Sequence, residues 1–331
     1  MSTYPWQENQ WRKLLDAHNK ERLHHALLLS GPSGTGIEEF AVNFAARILC
    51  LNSTGYDAAC GNCKSCSLFA AGNHPDLKLI EPESAGKGIK VEAIREVVDY
   101  INIRSHFGNS KLVIIRDAQN MNRHASNGLL KSLEEPPSES RLVLIADKPS
   151  MLPVTIRSRC QRIDFPAVRG DLAIQWLEDR VDKNACDISE LLSMAAGAPL
   201  LAQELAETDC LTQQLEFLAE LAQLRAQPAD PVKTAKKWLE SEQELIFTIR
   251  QLLEHFATMS RLKLGERPNK STVHKHLQGI LKGLDLVQII RCYDALSRLY
   301  KELEGPFNLN KQGLVEEFIV SWQAVSAAKG G

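Results

Sequence analysis

Short apolar runs alternate with helical patterns along the first half of the chain. The runs fall at residues 26–30, 77–80, 112–115, 142–146 and 163–165. Between them, apolar residues recur at helical spacing, as at Val91, Ile94, Val97, Val98 and Ile101. Buried strands separated by helices are typical of a parallel sheet covered by helices. The sequence therefore predicts an α/β domain with a five-stranded parallel sheet.

The strand pattern stops after Phe165 and Pro166, and only helical patterns follow. Three short helices are predicted at 171–181, 188–196 and 200–207, before longer helical segments at 213–224, 232–262, 284–303 and 312–328. We therefore predict three domains, which are an α/β domain over 1–166, a small helical domain over 167–208 and an all-α domain over 209–331.

The overall charge argues against a protein that binds DNA on its own. The 331 residues include 39 Lys and Arg against 41 Asp and Glu, a net charge of -2. Such a chain has no global positive field for a phosphate backbone, so DNA contacts are expected to be local or shared with partners. No apolar run is long enough to span a membrane, and the N-terminus lacks the features of a secretory signal. We expect a cytoplasmic protein.

Gly31, Gly34 and Gly36 form a glycine-rich turn between the first predicted strand and a helix, as in phosphate-binding loops. That pattern continues with Lys, which contacts phosphates, and Ser or Thr, which ligates magnesium. Here Ile37 and Glu38 occupy these positions. A missing ammonium and an added carboxylate both oppose triphosphate binding, so we expect weak or no ATP binding. The alternative is an unrelated α/β protein whose glycine turn merely caps a helix.

A second nucleotide motif is also incomplete. In ATPases of this kind, an apolar strand ends in Asp-Glu, where the first carboxylate supports magnesium and the second activates water. The third predicted strand is followed by Arg116, Asp117 and Ala118, so the first carboxylate is present and the base is replaced by a methyl group.

Four of the eight cysteines are clustered. Cys50, Cys60, Cys63 and Cys66 have the spacing C-x9-C-x2-C-x2-C, which suits a closed tetrahedral zinc site of structural type. An iron–sulfur cluster is an alternative, although the Cys-Pro that follows in ferredoxins is missing here. Four unligated thiols are the remaining alternative. We interpret the nearby His74 as a turn residue and not as a fifth ligand.

Three segments together resemble the AAA+ clamp-loader family, whose complexes place a ring-shaped sliding clamp on primed DNA. They are Arg-Leu-His-His-Ala at 22–26, Leu-Leu-Lys-Ser-Leu-Glu-Glu-Pro-Pro at 129–137 and Ser-Arg-Cys at 158–160. The resemblance covers the first 166 residues and implies an AAA+ sheet domain, a helical lid and an oligomerising collar. The gamma and tau subunits of that family hydrolyse ATP and would carry the lysine and the glutamate. This chain is therefore more similar to the subunits that do not hydrolyse ATP.

The resemblance also implies a role and partners. Arg159 would act in trans, its guanidinium pairing with the γ-phosphate of ATP on an adjacent subunit. The implied partners are the gamma or tau subunits and the delta subunit, with the clamp and primed DNA contacted through the complex. This chain differs from the family's ATPases at two further places. It has Ala146 and Asp147 where those ATPases have threonines, and it has Leu200 where they have an arginine.

Alternatives remain at this point. Arg159 would serve equally as an ordinary surface or intrachain salt-bridge residue. The chain would itself be an active AAA+ ATPase if ATP still bound with Ile37 and Glu38 in the glycine-rich motif and another residue served as the base. A zinc-dependent nucleic-acid-binding module is a third interpretation, to which the near-neutral charge gives little support.

Overall fold

Five strands form one parallel sheet in the N-terminal half of the chain. The structure is a computed structural model that describes residues 3–83, 87–108, 110–137, 139–168, 170–181, 187–208, 210–227, 229–240, 242–265, 272–281, 283–303 and 310–327. The strands are β1 Ala26–Ser30, β2 Leu77–Ile80, β3 Lys111–Ile115, β4 Ser140–Ala146 and β5 Gln161–Asp164. They lie in the order β2-β3-β4-β1-β5, and every neighbouring pair is parallel. The predicted five-stranded parallel sheet is confirmed.

Six helices flank or connect the strands. They are α1 Glu8–Asn19, α2 Ile37–Leu49, α3 Lys64–Ala70, α4 Val91–Ile101, α5 Arg123–Glu134 and α6 Val154–Arg157. The side chain of Asn122 caps the start of α5 by accepting the N–H of Ala125 at 2.8 Å. At its other end α5 stops at Glu134, two residues before Pro136 and Pro137, which cannot continue a helix.

The interior strand β1 is buried on both faces. Leu27 and Leu29 lie in an apolar core with residues of α1 and α2. Ala26 and Leu28 lie in a second core with residues of α4 and α5. Successive side chains of a strand point to opposite faces, so a sheet covered on both sides needs apolar residues at every position. This explains why the strand runs in the sequence are continuous and do not alternate.

The remaining helices follow the sheet. They are α7 Asp171–Glu178, α8 Ile188–Met194, α9 Pro199–Ala206, α10 Cys210–Ala226, α11 Pro231–Trp238, α12 Glu242–Lys263, α13 Thr272–Leu281, α14 Leu286–Leu303 and α15 Lys311–Ala327. The helical C-terminal half is confirmed, but the single segment predicted at 232–262 is wrong, since it forms two helices. The first of them ends at Trp238, whose ring packs on that of Phe217 with centroids 4.7 Å apart. Within the described ranges, the helices are too short or too polar to cross a membrane.

The chain divides into two compact units. One contains Met1–Asp179 and Gly197–Ala202, and the other contains Arg180–Ala196 and Gln203–Gly331. The first unit holds the sheet. The second has its own apolar core, in which the buried Trp322 donates its indole N–H to the carbonyl of Leu221 at 2.7 Å. The division into three domains at residues 166 and 208 stays a prediction.

Candidate functional site

The glycine-rich turn links β1 to α2, as the sequence predicts. Gly34 and Gly36 have φ of +80°, in the left-handed region that residues with a Cβ rarely adopt, and Gly36 is the N-cap residue of α2. At Gly31 space is the constraint, because a Cβ would lie 2.0 Å from the carbonyl oxygen of Phe165. The three glycines therefore fix the course of the turn.

Side chains of the N-terminal segment bind the carbonyl groups of this turn. Trp6 donates its indole N–H to the carbonyl of Thr35 at 2.9 Å. The side-chain amide of Gln7 is fully buried and donates to the carbonyls of Thr35 at 2.9 Å and Gly36 at 2.7 Å. Its oxygen accepts the N–H of Tyr4 at 3.2 Å. The buried amide is thus satisfied at both ends, as buried polar groups require.

Three aromatic rings pack together beside the same turn. Tyr4 and Trp6 stack with centroids 5.0 Å apart. Trp176, from α7, meets their rings edge-on at 5.7 and 5.4 Å. A Cβ added at Gly36 would lie 2.4 Å from the ring of Tyr4, so the ring rests directly on the turn. Stacked and edge-on pairs are both favourable arrangements of aromatic rings.

The start of α9 packs on the turn as well. The N–H of Leu200 donates to the carbonyl of Gly34 at 3.0 Å. A Cβ at Gly34 would lie 2.9 Å from the Cβ of Leu201 and 3.2 Å from that of Ala198. The carbonyls of residues 34–36 therefore all accept hydrogen bonds from within the chain. Leu200, which stands where family ATPases carry an arginine, contributes a backbone contact here.

The two positions that depart from the phosphate-binding pattern have partners of their own. Ile37 is 6% exposed and packs in the core beside α1 and α2. Glu38 forms an ion pair with Arg116 at the end of β3, with Oε2 and Nε 3.2 Å apart. Arg116 also pairs with Glu81, from Nη1 to Oε2 at 3.0 Å. Burial raises the pKa of the Glu38 carboxyl, and the adjacent guanidinium lowers it in part. A protein cation therefore neutralises Glu38.

The residues of the second motif are also tied together. Asp117 has φ of +47°, and Ala118 behind it is fully buried. The side-chain amide of Gln119 donates to Asp117 at 3.2 Å and to Asp147 at 2.6 Å. Burial raises the pKa of Asp147. An amide thus bridges the carboxylates that follow β3 and β4, and the methyl group of Ala118 has no basic atom.

Arg159 lies on the connection between α6 and β5, with a side chain 35% exposed. Its Nη2 is 2.6 Å from Oε1 of Glu134, and its Nη1 donates to the carbonyl of Thr155 at 2.9 Å. The next residue, Cys160, packs against the core under α5 and α6, and burial raises its pKa to about 12. The intrachain ion pair that the sequence left open is therefore present, and part of the guanidinium still faces solvent.

The four predicted metal ligands come together where α2 ends and α3 begins. Cys50 directly follows α2, Cys63 is the N-cap residue of α3, and Cys66 lies in its first turn. All four sulfur atoms lie within 4.8 Å of one another, and the pairs Cys50–Cys63 and Cys60–Cys66 are 3.9 Å apart. A disulfide would need about 2.05 Å. Sulfurs bound at about 2.3 Å to one tetrahedral ion lie about 3.8 Å apart. The cluster is thus close enough to bind a metal ion.

The local contacts favour some of these thiolates over others. Burial raises the pKa of Cys50, but hydrogen bonds, first among them that from the N–H of Cys60, outweigh it and lower the pKa to about 6. At Cys63, burial is likewise outweighed by hydrogen bonds, chiefly that from the N–H of Cys66, and its pKa is lowered. Burial and the neighbouring thiols raise the pKa of Cys66 to about 12. Four sulfurs this close ionise together only beside a compensating cation.

His74 lies next to the cluster but has other partners. Its Nε2 is 2.8 Å from the hydroxyl of Ser65, which donates to the carbonyl of Leu49 at 2.6 Å. Its Nδ1 accepts the N–H of Asp76 at 3.1 Å. Both ring nitrogens are engaged, which agrees with the interpretation of His74 as a turn residue.

The loop between the first two cysteines is held by α1 and α2. Arg47 donates from Nε to the carbonyl of Asp57 at 2.9 Å and from Nη2 to that of Gly55 at 3.0 Å. Trp11 donates its indole N–H to the carbonyl of Tyr56 at 3.1 Å. These bonds anchor the loop that carries Cys60 to the other three sulfurs.

Sequence reasoning missed the residues that fill and neutralise the glycine-rich turn. They are Tyr4, Trp6, Gln7, Arg116, Gln119 and Trp176. For Tyr4, Trp6 and Gln7 the signal is two aromatic residues among the mostly polar residues 3–10, which the sequence does not connect to residues 31–36.

Together these features define a class. A parallel sheet in this order, with a glycine-rich turn after its first strand and a partly exposed arginine before its last, has the arrangement of an AAA+ domain. The family described as "DNA polymerase III, delta subunit" matches residues 6–169. The DNA polymerase III subunit delta' of Pseudomonas aeruginosa is 32% identical over 328 residues, 97% of this chain and 98% of that protein. The chain belongs to the delta' subunits of the DNA polymerase III clamp loader.

Two further similarities extend beyond delta'. The DNA polymerase III subunit tau/gamma of Haemophilus influenzae is 37% identical over 163 residues, which cover 49% of this chain and 23% of that protein. Among solved structures, a DNA polymerase III gamma subunit-related protein from Thermotoga maritima is 17% identical, with a TM-score of 0.41 and coverage of 97% of this chain and 99% of that one. The resemblance to the clamp-loader family inferred from the sequence is confirmed by the sequence relatives.

Proposed function

We propose that this delta' chain works in the clamp loader without binding or hydrolysing ATP, and that it supplies Arg159 in trans to ATP held by a neighbouring subunit. The observation that carries the first part is that buried Ile37 and paired Glu38 occupy the positions of the phosphate-binding lysine and the magnesium-binding hydroxyl. The ring of Tyr4 also rests directly on the turn, since a Cβ at Gly36 would lie 2.4 Å from it.

The charges around the turn support the same proposal. A triphosphate needs an ammonium and a magnesium ion at this place. Ile37 brings no charge and is buried, while the guanidinium of Arg116 is already shared between Glu38 and Glu81. An incoming triphosphate would have to separate these pairs and then face two uncompensated carboxylates. Hydrolysis would also lack a base, since Ala118 replaces the glutamate.

Arg159 has the chemistry of an arginine finger. A guanidinium is planar, stays charged at physiological pH and matches phosphate oxygens in pairs, so it stabilises the charge that develops on a transferred phosphoryl group. Its position on a surface connection, with part of the side chain exposed, suits contact with another chain. The proposed neighbours are gamma or tau subunits and the delta subunit, with the sliding clamp and primed DNA reached through the complex. The proposal includes the lid and collar domains and a cytoplasmic location at the replicating chromosome.

The cysteine cluster is proposed to hold one structural zinc ion. Its four sulfurs lie within 4.8 Å of one another, which suits one tetrahedral ion. The ligands of an iron–sulfur cube bind different irons and would be spread around the cluster. Four protein ligands leave no position for water, so the ion would fold the 50–66 insertion and take no part in catalysis.

A titration tests the first part. The isolated chain is mixed with a fluorescent ATP analogue in the presence of magnesium, and an ATP-hydrolysing clamp-loader subunit serves as the positive control. We expect no saturable signal at concentrations that saturate the control. Tight, magnesium-dependent binding would instead favour an active ATPase with divergent motifs.

Reconstitution tests the second part. The chain is assembled with gamma or tau and delta subunits, and DNA-stimulated ATP hydrolysis and clamp loading are measured. Arg159→Ala should leave assembly intact and slow hydrolysis at the site it serves by about 10³-fold or more, the effect typical of arginine fingers. Arg159→Lys keeps the charge without the planar fork and should restore little. Unchanged hydrolysis and clamp loading with Arg159→Ala would remove the assigned role.

A further inference from the structure

Two elements of the fold hold the guanidinium of Arg159. Its Nη2 lies 2.6 Å from Oε1 of Glu134, at the end of α5. Its Nη1 donates to the carbonyl of Thr155 at 2.9 Å, within α6, and lies 3.4 Å from the hydroxyl of Ser158. A long side chain restrained at both terminal nitrogens loses most of its rotamer freedom before a partner arrives. Three of its five N–H groups take part in these contacts, so two remain for a further acceptor.

Glu134 is itself fixed by the residues around it. Leu133, one position earlier, is buried, and its carbonyl accepts a hydrogen bond from Nε2 of His25 at 2.9 Å. The N–H of Glu135 donates to the carbonyl of Lys131 at 2.9 Å, and two prolines follow. The Glu134 carboxylate therefore extends from an anchored helix end.

The position of this carboxylate is unfavourable for the helix alone. The C-terminus of a helix carries partial negative charge, so carboxylates there are repelled and cations are preferred. Glu134 occupies the last turn of α5 and finds its compensating cation in Arg159. The pair is partly exposed, with 50% of the Glu134 side chain accessible, and such pairs contribute little to stability. The main effect of the Glu134–Arg159 pair is therefore to fix the orientation of the guanidinium.

We infer that Glu134 is a positioning residue for Arg159, whose carboxylate holds the guanidinium in the orientation that meets ATP on the neighbouring subunit. This inference rests on the proposed function, since it takes Arg159 as the arginine finger. Catalysis by an arginine finger depends on placing the charge correctly when the transition state forms. Without Glu134, the guanidinium would have to be ordered during each round of ATP hydrolysis.

The test uses the reconstituted clamp loader with primed DNA and the sliding clamp. The kcat and KM for ATP are measured for Glu134→Ala, Arg159→Ala and the double variant. The matched control is Glu135→Ala, which removes the adjacent exposed carboxylate. Glu134→Ala should lower kcat about fivefold, as expected when a pair of this kind is lost, with KM for ATP unchanged. Glu134→Gln keeps an acceptor and should recover part of the loss, and Glu135→Ala should behave as wild type.

The double variant separates positioning from any independent role. If Glu134 acts through Arg159, its removal has no further effect once Arg159 is alanine. The inference is overturned if Glu134→Ala leaves kcat unchanged or raises it, or slows the Arg159→Ala complex further. If Arg159→Ala itself has no effect, the proposed function fails, which is a distinct result. Thermal unfolding of each variant checks that the chain still folds.

Discussion

Replacing Trp6 with alanine tests how strongly the N-terminal segment closes the glycine-rich turn. The change removes one hydrogen bond, from the indole N–H to Thr35 at 2.9 Å, which contributes about 1 kcal/mol. It also removes the ring contacts with Tyr4 at 5.0 Å and Trp176 at 5.4 Å, which contribute about 0.5–1.5 kcal/mol each. The carbonyl of Thr35 keeps its bond from Gln7, so no buried acceptor is left without a partner. The expected loss is about 3 kcal/mol in the free energy of unfolding.

Urea unfolding followed by far-ultraviolet circular dichroism measures this loss without relying on the fluorescence of the residue removed. Because the chain has two compact units, we expect the transition of the sheet-containing unit alone to move. Trp6→Phe is the matched control, since it keeps a ring but loses the N–H, and should cost about 1 kcal/mol. A Trp6→Ala protein within about 0.5 kcal/mol of wild type would refute the reasoning. So would a Trp6→Phe protein as unstable as Trp6→Ala, because the rings would then contribute nothing.

Two further predictions concern other parts of the chain. Cys63→Ser should abolish the proposed zinc binding, whereas Cys160→Ser should not. Atomic emission spectroscopy checks this, with about one zinc ion expected per wild-type chain; an unchanged zinc content in Cys63→Ser would contradict the proposed ligand set. Asp187 caps α8, and hydrogen bonds from the hydroxyl and N–H of Ser189 hold the pKa of its carboxyl below the usual range. The ionised cap therefore stabilises the folded chain fully above about pH 4, and this stabilisation is lost as the pH falls through the lower folded-state pKa. Asp187→Ala should therefore lower the free energy of unfolding, measured with urea, by about 1 kcal/mol at pH 7 and by progressively less below about pH 4. An equal loss at pH 7 and below about pH 4 would contradict this prediction.

The apolar runs located all five strands of the sheet, and the agreement in strand bounds varies. The residues of β1 and β2 match the apolar runs at 26–30 and 77–80. β3 begins one residue before its apolar run, at Lys111, which is buried with its ammonium 3.9 Å from the ring centroid of Tyr100 and bonded to the carbonyl of that residue. β5 begins at Gln161 and ends at Asp164 because it lies at the sheet edge, where polar residues are tolerated. Apolar patterns do not reveal a charged residue that is buried by its neighbours.

In the candidate sites, too, local sequence patterns predicted some residues and missed those that depend on long-range contacts. The cysteines were found because two-residue spacings bring local ligands together, and the structure places their sulfurs within 4.8 Å of one another. The filling of the turn by Trp6 and the pairing of Glu38 with Arg116 were not found. Those contacts join residues 29 and 78 positions apart, and local patterns contain no information about them. The pairing of Arg159 with Glu134 depends in the same way on the packing of α5 beside the last strand connection.

The closure of the turn by Tyr4, Trp6 and Gln7 has a consequence for how this chain responds to the cell's energy state. A protein whose site is filled by a free nucleotide gains stability with nucleotide concentration, by about 4 kcal/mol at a thousandfold excess over Kd. Here the groups that contact the turn are covalently part of the chain, so their contribution to stability does not depend on the nucleotide concentration. If the chain binds no ATP, as proposed, the sheet-containing unit keeps the same stability whether ATP is abundant or depleted.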